Sequence, residues 1–309
     1  VDTISTVVEV VKHLQGKHDQ KEHAPKRVSR RTPAVKKISY VFGPESRKED
    51  IDDLLSHIFK GKNITYQDIA DAFDGGLDRL PEGSEIQLKF VDDYNELRVI
   101  GKILDVQGRK MGGFERSIHR AGGKIVVNHD SFFLNKSYQG SGFGTEFFFE
   151  SQRKYEKLGV DQIEVMAGDK VGGYAWARMG FDFYSVNDRR RAIDAIDTSL
   201  IDLDLQRTLK KTMPRRKGED KYDHEDRLTD AEGDIYNSIM SQVERFRYPY
   251  QFAAFTVKIG DEVVPLGKKA MLGSDWMGVK KLKTKSKAYW AGQEFYKLKK
   301  RRGQKKWVH

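Results

Sequence analysis

The chain has 309 residues, 38% of them apolar and 33% charged, which allows one large domain or two modest ones around an adequate core. It has no cysteine, so disulfides, thiolate metal sites and cysteine nucleophiles are excluded. No apolar run reaches the roughly eighteen residues a spanning helix needs and no signal peptide is legible, so no membrane role and a cytoplasmic location are expected.

The net charge of +10 is unevenly spread. Lys280 to His309 carries twelve Lys or Arg against one Glu, and Lys26-Arg27, Arg30-Arg31 and Lys36-Lys37 form a second basic run. Such surpluses favour nucleic acid or an acidic protein surface. A solvated tail is the other reading. The start at Val1 rather than Met reads as a processed product or a fragment of something longer.

Val1 to Leu14 has the spacing of an amphipathic helix, with Ile4, Val7, Val8, Val11 and Leu14 on one face. Lys17-His-Asp-Gln-Lys-Glu-His23 follows as linker, and its histidines are not expected to hold a metal without an ordered scaffold. The arm 1–37 is followed by a small helical module, 38–84. There Ile38 to Phe42 reads as a strand. Ser46 to Lys60 reads as a helix capped by Ser46 with the stripe Ile51, Leu54, Leu55, Ile58, and Thr65 to Phe73 as a shorter helix.

An α/β domain is expected over 85–186. Glu85 to Val91, Glu96 to Asp105 and Phe114 to Arg120 alternate as strands, and Lys124 to Leu134 is a further apolar run. Gln139-Gly-Ser-Gly-Phe-Gly144 is a glycine turn, Thr145 to Gly159 a helix, Asp161 to Ala167 a strand, Val171 to Met179 a helix and Gly180 to Tyr184 a strand. Glycines let a backbone turn tightly and approach a ligand, and the following helix aims its free N–H groups into the turn, a site suited to phosphate. The turn lacks the Gly-Lys-Ser/Thr ending of the mononucleotide loop and the third glycine of the dinucleotide fingerprint.

After Tyr184 the chain reads as a helical and hairpin extension, 187–278. Asp188 to Leu209 has a patchy apolar face, Pro214 to Asp226 reads as a linker and Asp230 to Arg245 as a helix. Tyr248 to Phe252 reads as extended, Phe255 to Ile259 and Val263 to Leu266 as a hairpin, and Gly267 to Gly278 as glycine-rich. In the tail, 279–309, Tyr289, Trp290, Phe295, Tyr296 and Trp307 alternate with cations. That pattern can hold phosphates and stack bases, or anchor an arm on a partner.

The glycine turn matches Gln/Arg-x-x-Gly-x-Gly/Ala through Gln139, Gly142 and Gly144, and Ala175-Trp-Ala-Arg-Met-Gly-Phe181 matches a helix ending in Gly-Phe. Over roughly Glu85 to Tyr184 the chain therefore resembles the GCN5-related N-acetyltransferases (GNAT). The resemblance implies an α/β (α+β) fold with a mixed, mostly antiparallel sheet flanked by helices, here with basic N- and C-terminal extensions. One departure is visible: the family places helices between its first two strands, and only Asp92 to Asn95 is available here. Either they lie upstream of Glu85 or the domain is a shortened version.

The resemblance implies acetyl-CoA as the ligand. Gln139, Gly140, Ser141, Gly142, Phe143 and Gly144 would cradle its pyrophosphate, and the strand edge at Phe132, Phe133 and Leu134 would pair with its pantetheine arm. The acyl group would pass to an amine, with His129, Asp130 or Glu164 as base and Tyr138 or Tyr174 as acid. The family's acid position holds Trp176, whose indole cannot serve, and Tyr174 should face elsewhere on the helix. Two readings stay open. One is an N-acyltransferase acting on a protein, peptide or RNA amine. The other is a non-catalytic scaffold, for instance a bacteriophage virion component, since Lys17 to Lys21 resembles charged stretches of such proteins. In that case Lys280, Lys281, Lys283, Lys285, Lys287, Lys299, Lys300, Arg301, Arg302, Lys305 and Lys306 would bind nucleic acid or neighbouring virion subunits, and the protein would sit in the virion.

Overall fold

The computed structural model describes residues 37–44, 46–168, 172–259 and 262–306, with backbone alone at 37 and 301–306. The helix expected at Val1 to Leu14, the linker histidines, the basic arm before Lys37 and Trp307 lie outside the described residues. Two compact units form. Among the described residues one gathers 37–166, 279–289 and 293–306, and the other 167–278 and 290–292.

The first unit is built on a mixed sheet. Strands β1 (Lys37–Phe42), β2 (Glu85–Asp93), β3 (Glu96–Leu104), β4 (Lys110–Ala121), β5 (Lys124–Leu134) and β6 (Gln162–Ala167) lie side by side in that order. The outer pairs β1–β2 and β5–β6 are parallel, while β2 through β5 are antiparallel. Alternation decides which side faces the core: Ile86, Leu88 and Phe90 of β2 and Leu97, Val99 and Ile103 of β3 are buried. Gly101 occupies the same face because the Phe114 ring lies over it, and a Cβ there would stand 2.2 Å from that ring.

The helices missing between β2 and β3 lie upstream. Helices α1 (Lys48–Ile58) and α2 (Tyr66–Asp71) connect β1 to β2. The β2–β3 connection is a tight reversal through Tyr94 and Asn95, both at positive φ (48° and 69°), a conformation suited to right-twisted hairpins. Ile51, Leu54, Leu55 and Ile58 are buried as their spacing indicates. Ser46 is not the cap of α1. Arg47 precedes the helix, its N–H donating to the Asp50 carboxylate at 3.0 Å, while the Ser46 hydroxyl accepts from the Asp92 N–H. Thr65 caps α2 by accepting from the Asp68 N–H.

Helix α3 (Phe143–Leu158) runs between αL glycines, Gly142 and Gly159. Its buried face carries Phe143, Phe147, Phe148, Phe149 and Tyr155. The Phe147 ring lies 4.9 Å from Phe114, 5.3 Å from Phe143 and 5.8 Å from Phe132, so it joins β4, β5 and the glycine turn into one apolar cluster.

The second unit contains α4 (Gly172–Arg178), β7 (Asp182–Phe183), α5 (Val186–Ile201), α6 (Leu205–Thr212), α7 (Lys221–Val243), α8 (Pro249–Ala253), the antiparallel pair β8 (Val257–Ile259) and β9 (Glu262–Val264), and α9 (Leu266–Leu272). It also contains the first residues of β10 (Trp276–Lys281), where the Tyr184 N–H donates to the Met277 carbonyl. Three expectations fail here for local reasons. Asp220 caps α7 by accepting from the Asp223 N–H at 2.8 Å, so the helix starts well before Asp230. Tyr248 to Phe252 is not extended, because Pro249 starts a helix with a preset φ and Gln251 accepts from the Arg247 and Tyr248 N–H groups. The glycine-rich stretch forms α9, with Gly267 so close to the Phe252 carbonyl that a Cβ would sit 1.7 Å from its oxygen.

The basic tail is not a loose arm through Lys306. It forms helix α10 (Lys287–Lys306). In the first unit Tyr296 stacks on Phe149 at 4.4 Å and donates to the Glu146 carboxylate at 2.6 Å, and Tyr289 donates to Glu156 at 2.7 Å. These two tyrosines therefore bind the protein's own α3 rather than stacking on bases. Among the described residues no helix is long and apolar enough to cross a membrane.

Candidate functional site

The glycine turn sits between the end of β5 and the mouth of α3. Gly140 and Gly142 have φ of 79° and 88°, where a side chain is strained, and the space beside each is open: an added Cβ would meet nothing within 4 Å. Gln139 is tied back, its amide donating to the Leu134 carbonyl at 2.8 Å, and the Ser141 hydroxyl donates to the Tyr138 carbonyl. Ser141 Oγ accepts from the Phe143 N–H at 3.3 Å. The first ladder bond of α3 runs from the Glu146 N–H to the Gly142 carbonyl, so the Gly144 and Thr145 N–H groups have no acceptor within the helix. The turn therefore presents amides to an open side, together with the positive end of a sixteen-residue helix.

Cations flank this first turn. The Lys299 ammonium lies 3.4 Å from Thr145 Oγ1, Lys300 lies 3.7 Å from Glu146, and Arg79 lies 3.6 Å from the same carboxylate.

Past His129, the strand leading to the turn has no second strand beside it among the described residues. The parallel β5–β6 register ends at His129↔Val165. Beyond it, Phe132, Phe133 and Leu134 pair only with Phe114, Gly113 and Gly112 of β4 in the recorded register. Phe132 turns its ring inward to Phe143 and Phe147, and Phe133 is exposed with the Lys110 ammonium 4.9 Å above its ring. Between Glu115 and Arg116 the β4–β5 register shifts, with Asp130 as the extra residue.

The base and acid candidates are divided between the units: His129, Asp130, Tyr138 and Glu164 lie in the first and Tyr174 in the second. His129 is buried between Phe148 and Tyr155, ring centroids 5.7 and 5.9 Å away. Burial, and then the Arg116 charge, hold its pKa well below the usual histidine value, so it is a neutral core side chain out of reach of a substrate amine. The reading of His129 as a base is thereby overturned. Alternation already placed it on the face of Ile125 and Val127, both buried. Asp130, on the opposite face, is exposed, and its carboxylate accepts from the Ser117 hydroxyl at 2.7 Å. Partial desolvation raises its pKa. Glu164 is half-buried on β6 and accepts from the Gln162 amide at 2.6 Å. Tyr138 stands half-buried at the entry to the turn. Tyr174 belongs to the second unit, where its hydroxyl accepts from Arg178 at 2.9 Å. In that unit Trp176 packs its ring edge-on to Phe181 at 5.3 Å.

Of the cations expected to meet a partner, Lys280 is fully buried, its ammonium 5.2, 5.2 and 5.0 Å from the Phe148, Phe149 and Tyr289 rings, so it cannot. Lys283 pairs with Asp161, and Lys285 stands 3.6 Å from Glu156. Lys281, Lys287, Lys299 and Lys300 are exposed. Arg301, Arg302, Lys305 and Lys306 continue the helix backbone. A groove of this unit is lined by Asp50, Asp53, His57, Asp93 and Arg98. It lies at the β2–β3 reversal, the end of the sheet away from the glycine turn.

Sequence reasoning missed Arg116. It is buried among Phe114, His129 and Tyr155, although alternation with Phe114 and Ile118 on the core face of β4 could have found it.

No family model and no curated protein matches the chain. Among solved structures, a nourseothricin acetyltransferase is similar over 30% of this chain and 54% of its own, at 14% identity and a TM-score of 0.24. The GCN5-related glucosamine N-acetyltransferase region of a fungal multi-domain GH3 beta-N-acetylglucosaminidase is similar over 39% of this chain and 13% of that one, at 20% identity and a TM-score of 0.21. The chain thus spans about half the length of the first of these and a small part of the second. These are distant, partial likenesses to GNAT acetyltransferases, and the reading of the site rests on its own geometry.

Proposed function

We propose that the protein is an acyl-coenzyme A-dependent N-acyltransferase of GNAT type that passes an acetyl group to an amine. The observation that carries this is the continuity of two open features in one unit: a strand edge without a second partner strand beyond His129↔Val165 among the described residues, and directly after it a glycine turn with space beside Gly140 and Gly142. An extended arm ending in a diphosphate fits that order. Backbone amides along Phe132 to Leu134 would hold the arm, and the N–H groups of the turn that are not already engaged, Gly144 among them, the diphosphate. Lys299, Lys300 and Arg79 beside the first turn of α3 add attraction for its charge.

In the transfer the amine nitrogen bonds to the thioester carbon, the carbon–sulfur bond breaks, and the sulfur leaves as thiolate. The amine must first lose a proton. Asp130 is the better placed base, because it stands exposed at the bulge on the open strand and its raised pKa makes it a stronger base than an ordinary carboxylate. Glu164 on the neighbouring strand is the second candidate. Tyr138, at the entry to the turn, is the candidate to protonate the thiolate.

A thermal-shift titration with acetyl-coenzyme A tests the reading. Ligand at about a hundred times its dissociation constant adds about 2.7 kcal/mol of stability. An unmoved melting curve at millimolar ligand rejects the enzyme and leaves the scaffold reading.

A further inference from the structure

Arg116 is a buried cation that the reaction as written above does not use. It is 2% exposed, with Tyr155 and the Asp130 carboxylate as its favourable electrostatic neighbours. Burying a guanidinium is costly even with a carboxylate in range, so the fold must gain something specific from it. Its contacts say what. Nη1 donates to the Glu115 carbonyl at 2.6 Å and to the Ser131 carbonyl at 2.5 Å, and the guanidinium lies 5.3 Å from the Phe114 ring centroid. Glu115 and Ser131 are the last register pair before the shift that leaves Asp130 extra.

A bulge interrupts the ladder and leaves backbone groups in want of partners. At this bulge the guanidinium supplies them from within the core. The consequence reaches the open edge. The Ser131 carbonyl and the Phe132 N–H share one planar trans peptide and point in opposite directions. Drawing the carbonyl to Arg116 aims the Phe132 amide away from it and stiffens the strand where β6 has already left it.

We propose that Arg116 is the positioning residue of the candidate coenzyme site, fixing through the Glu115 and Ser131 carbonyls the bulge at Asp130 and the direction of the free edge from Ser131 to Leu134. This rests on the reading of that edge as the seat of the pantetheine arm. Arg116 touches no substrate and acts only through the strand. Burial pulls its pKa down to about 10, so it still carries its charge at neutral pH. Lysine is not an equivalent: both bonds leave Nη1, and a lysine side chain ends one bond nearer the backbone, so its ammonium cannot stand where that nitrogen stands.

The test compares two ligands on the full chain by calorimetry: acetyl-coenzyme A, and 3′-phosphoadenosine 5′-diphosphate, which keeps the diphosphate and lacks the arm. In R116M the affinity for acetyl-coenzyme A should fall about tenfold, the worth of one charge-assisted hydrogen bond, while the phosphonucleotide binds within about twofold of wild type. R116K should recover part of the loss for acetyl-coenzyme A alone. If R116M does not fold, R116K against wild type carries the comparison, with a loss of about threefold confined to acetyl-coenzyme A. Equal weakening of both ligands, or of neither, overturns the role of Arg116 and leaves the coenzyme site standing. Failure of wild type to bind either ligand overturns the site itself, and the role of Arg116 with it.

Discussion

Gly142→Ala separates the backbone of the turn from everything around it. Gly142 has φ 88° and ψ −3°, and a Cβ added there would touch nothing within 4 Å. The substitution therefore costs no collision inside the protein. Its cost is the left-handed backbone itself, about 1–2 kcal/mol for a residue with a side chain. Part of that is offset because alanine restricts the unfolded chain, which is worth about 0.4–1 kcal/mol. The net expectation is a loss of about 1 kcal/mol, read as a lower urea midpoint with an unchanged slope.

Ligand binding should suffer more. A diphosphate must come within about 3 Å of the turn's N–H groups, and a methyl group on the open side of Gly142 stands in the way. With acetyl-coenzyme A at about a hundred times the wild-type dissociation constant, wild type should gain about 2.7 kcal/mol and Gly142→Ala less than about 1. Unfolding curves with and without ligand give both numbers. An unchanged ligand-free midpoint would contradict the left-handed turn. An unchanged ligand gain would mean that the amides of the turn do not hold the diphosphate.

Phe147→Ala removes the ring shared by β4, β5 and the turn. With the side chain 2% exposed it should cost about 3–5 kcal/mol in urea unfolding, and a loss under about 1 would show the cluster to be loosely packed. In the second unit Arg227, with help from the Arg216 N–H, holds the Glu219 carboxyl down to about 2 from an ordinary 4.5. A depressed carboxyl stabilises the fold above its unfolded pKa, and that contribution is lost as pH falls from about 4.5 through about 2. The melting temperature of Glu219→Gln should therefore lie below wild type at pH 7 and converge with it across that window. A gap that stays constant down to the acid end would refute the pairing.

Much of the architecture was legible before any coordinates because it is written in short-range patterns. Alternation named the strands from Glu85 to Leu134, the period of α1 named Ile51, Leu54, Leu55 and Ile58, and the glycines at 140, 142 and 144 announced a turn before a helix. Where the reading failed, a contact distant in sequence or a cap a few residues away had the deciding voice. Asp220 started α7 early and Pro249 turned an aromatic stretch into helix.

The candidate site divides the same way. The loop could be found from composition and spacing, since the left-handed backbone at 140 and 142 favours glycine. The fates of its neighbours could not. His129 and Lys280 are ordinary titratable residues in the sequence, and only packing against Phe148, Tyr155 and Tyr289 shows them enclosed. The bulge at Asp130 and the release of β5 from β6 depend on which strands become neighbours and in what register, and no local preference contains that information. Residue chemistry thus pointed to where an anion could be held, while desolvation and strand register, which exist only once distant segments meet, decided which of the neighbouring side chains stay exposed.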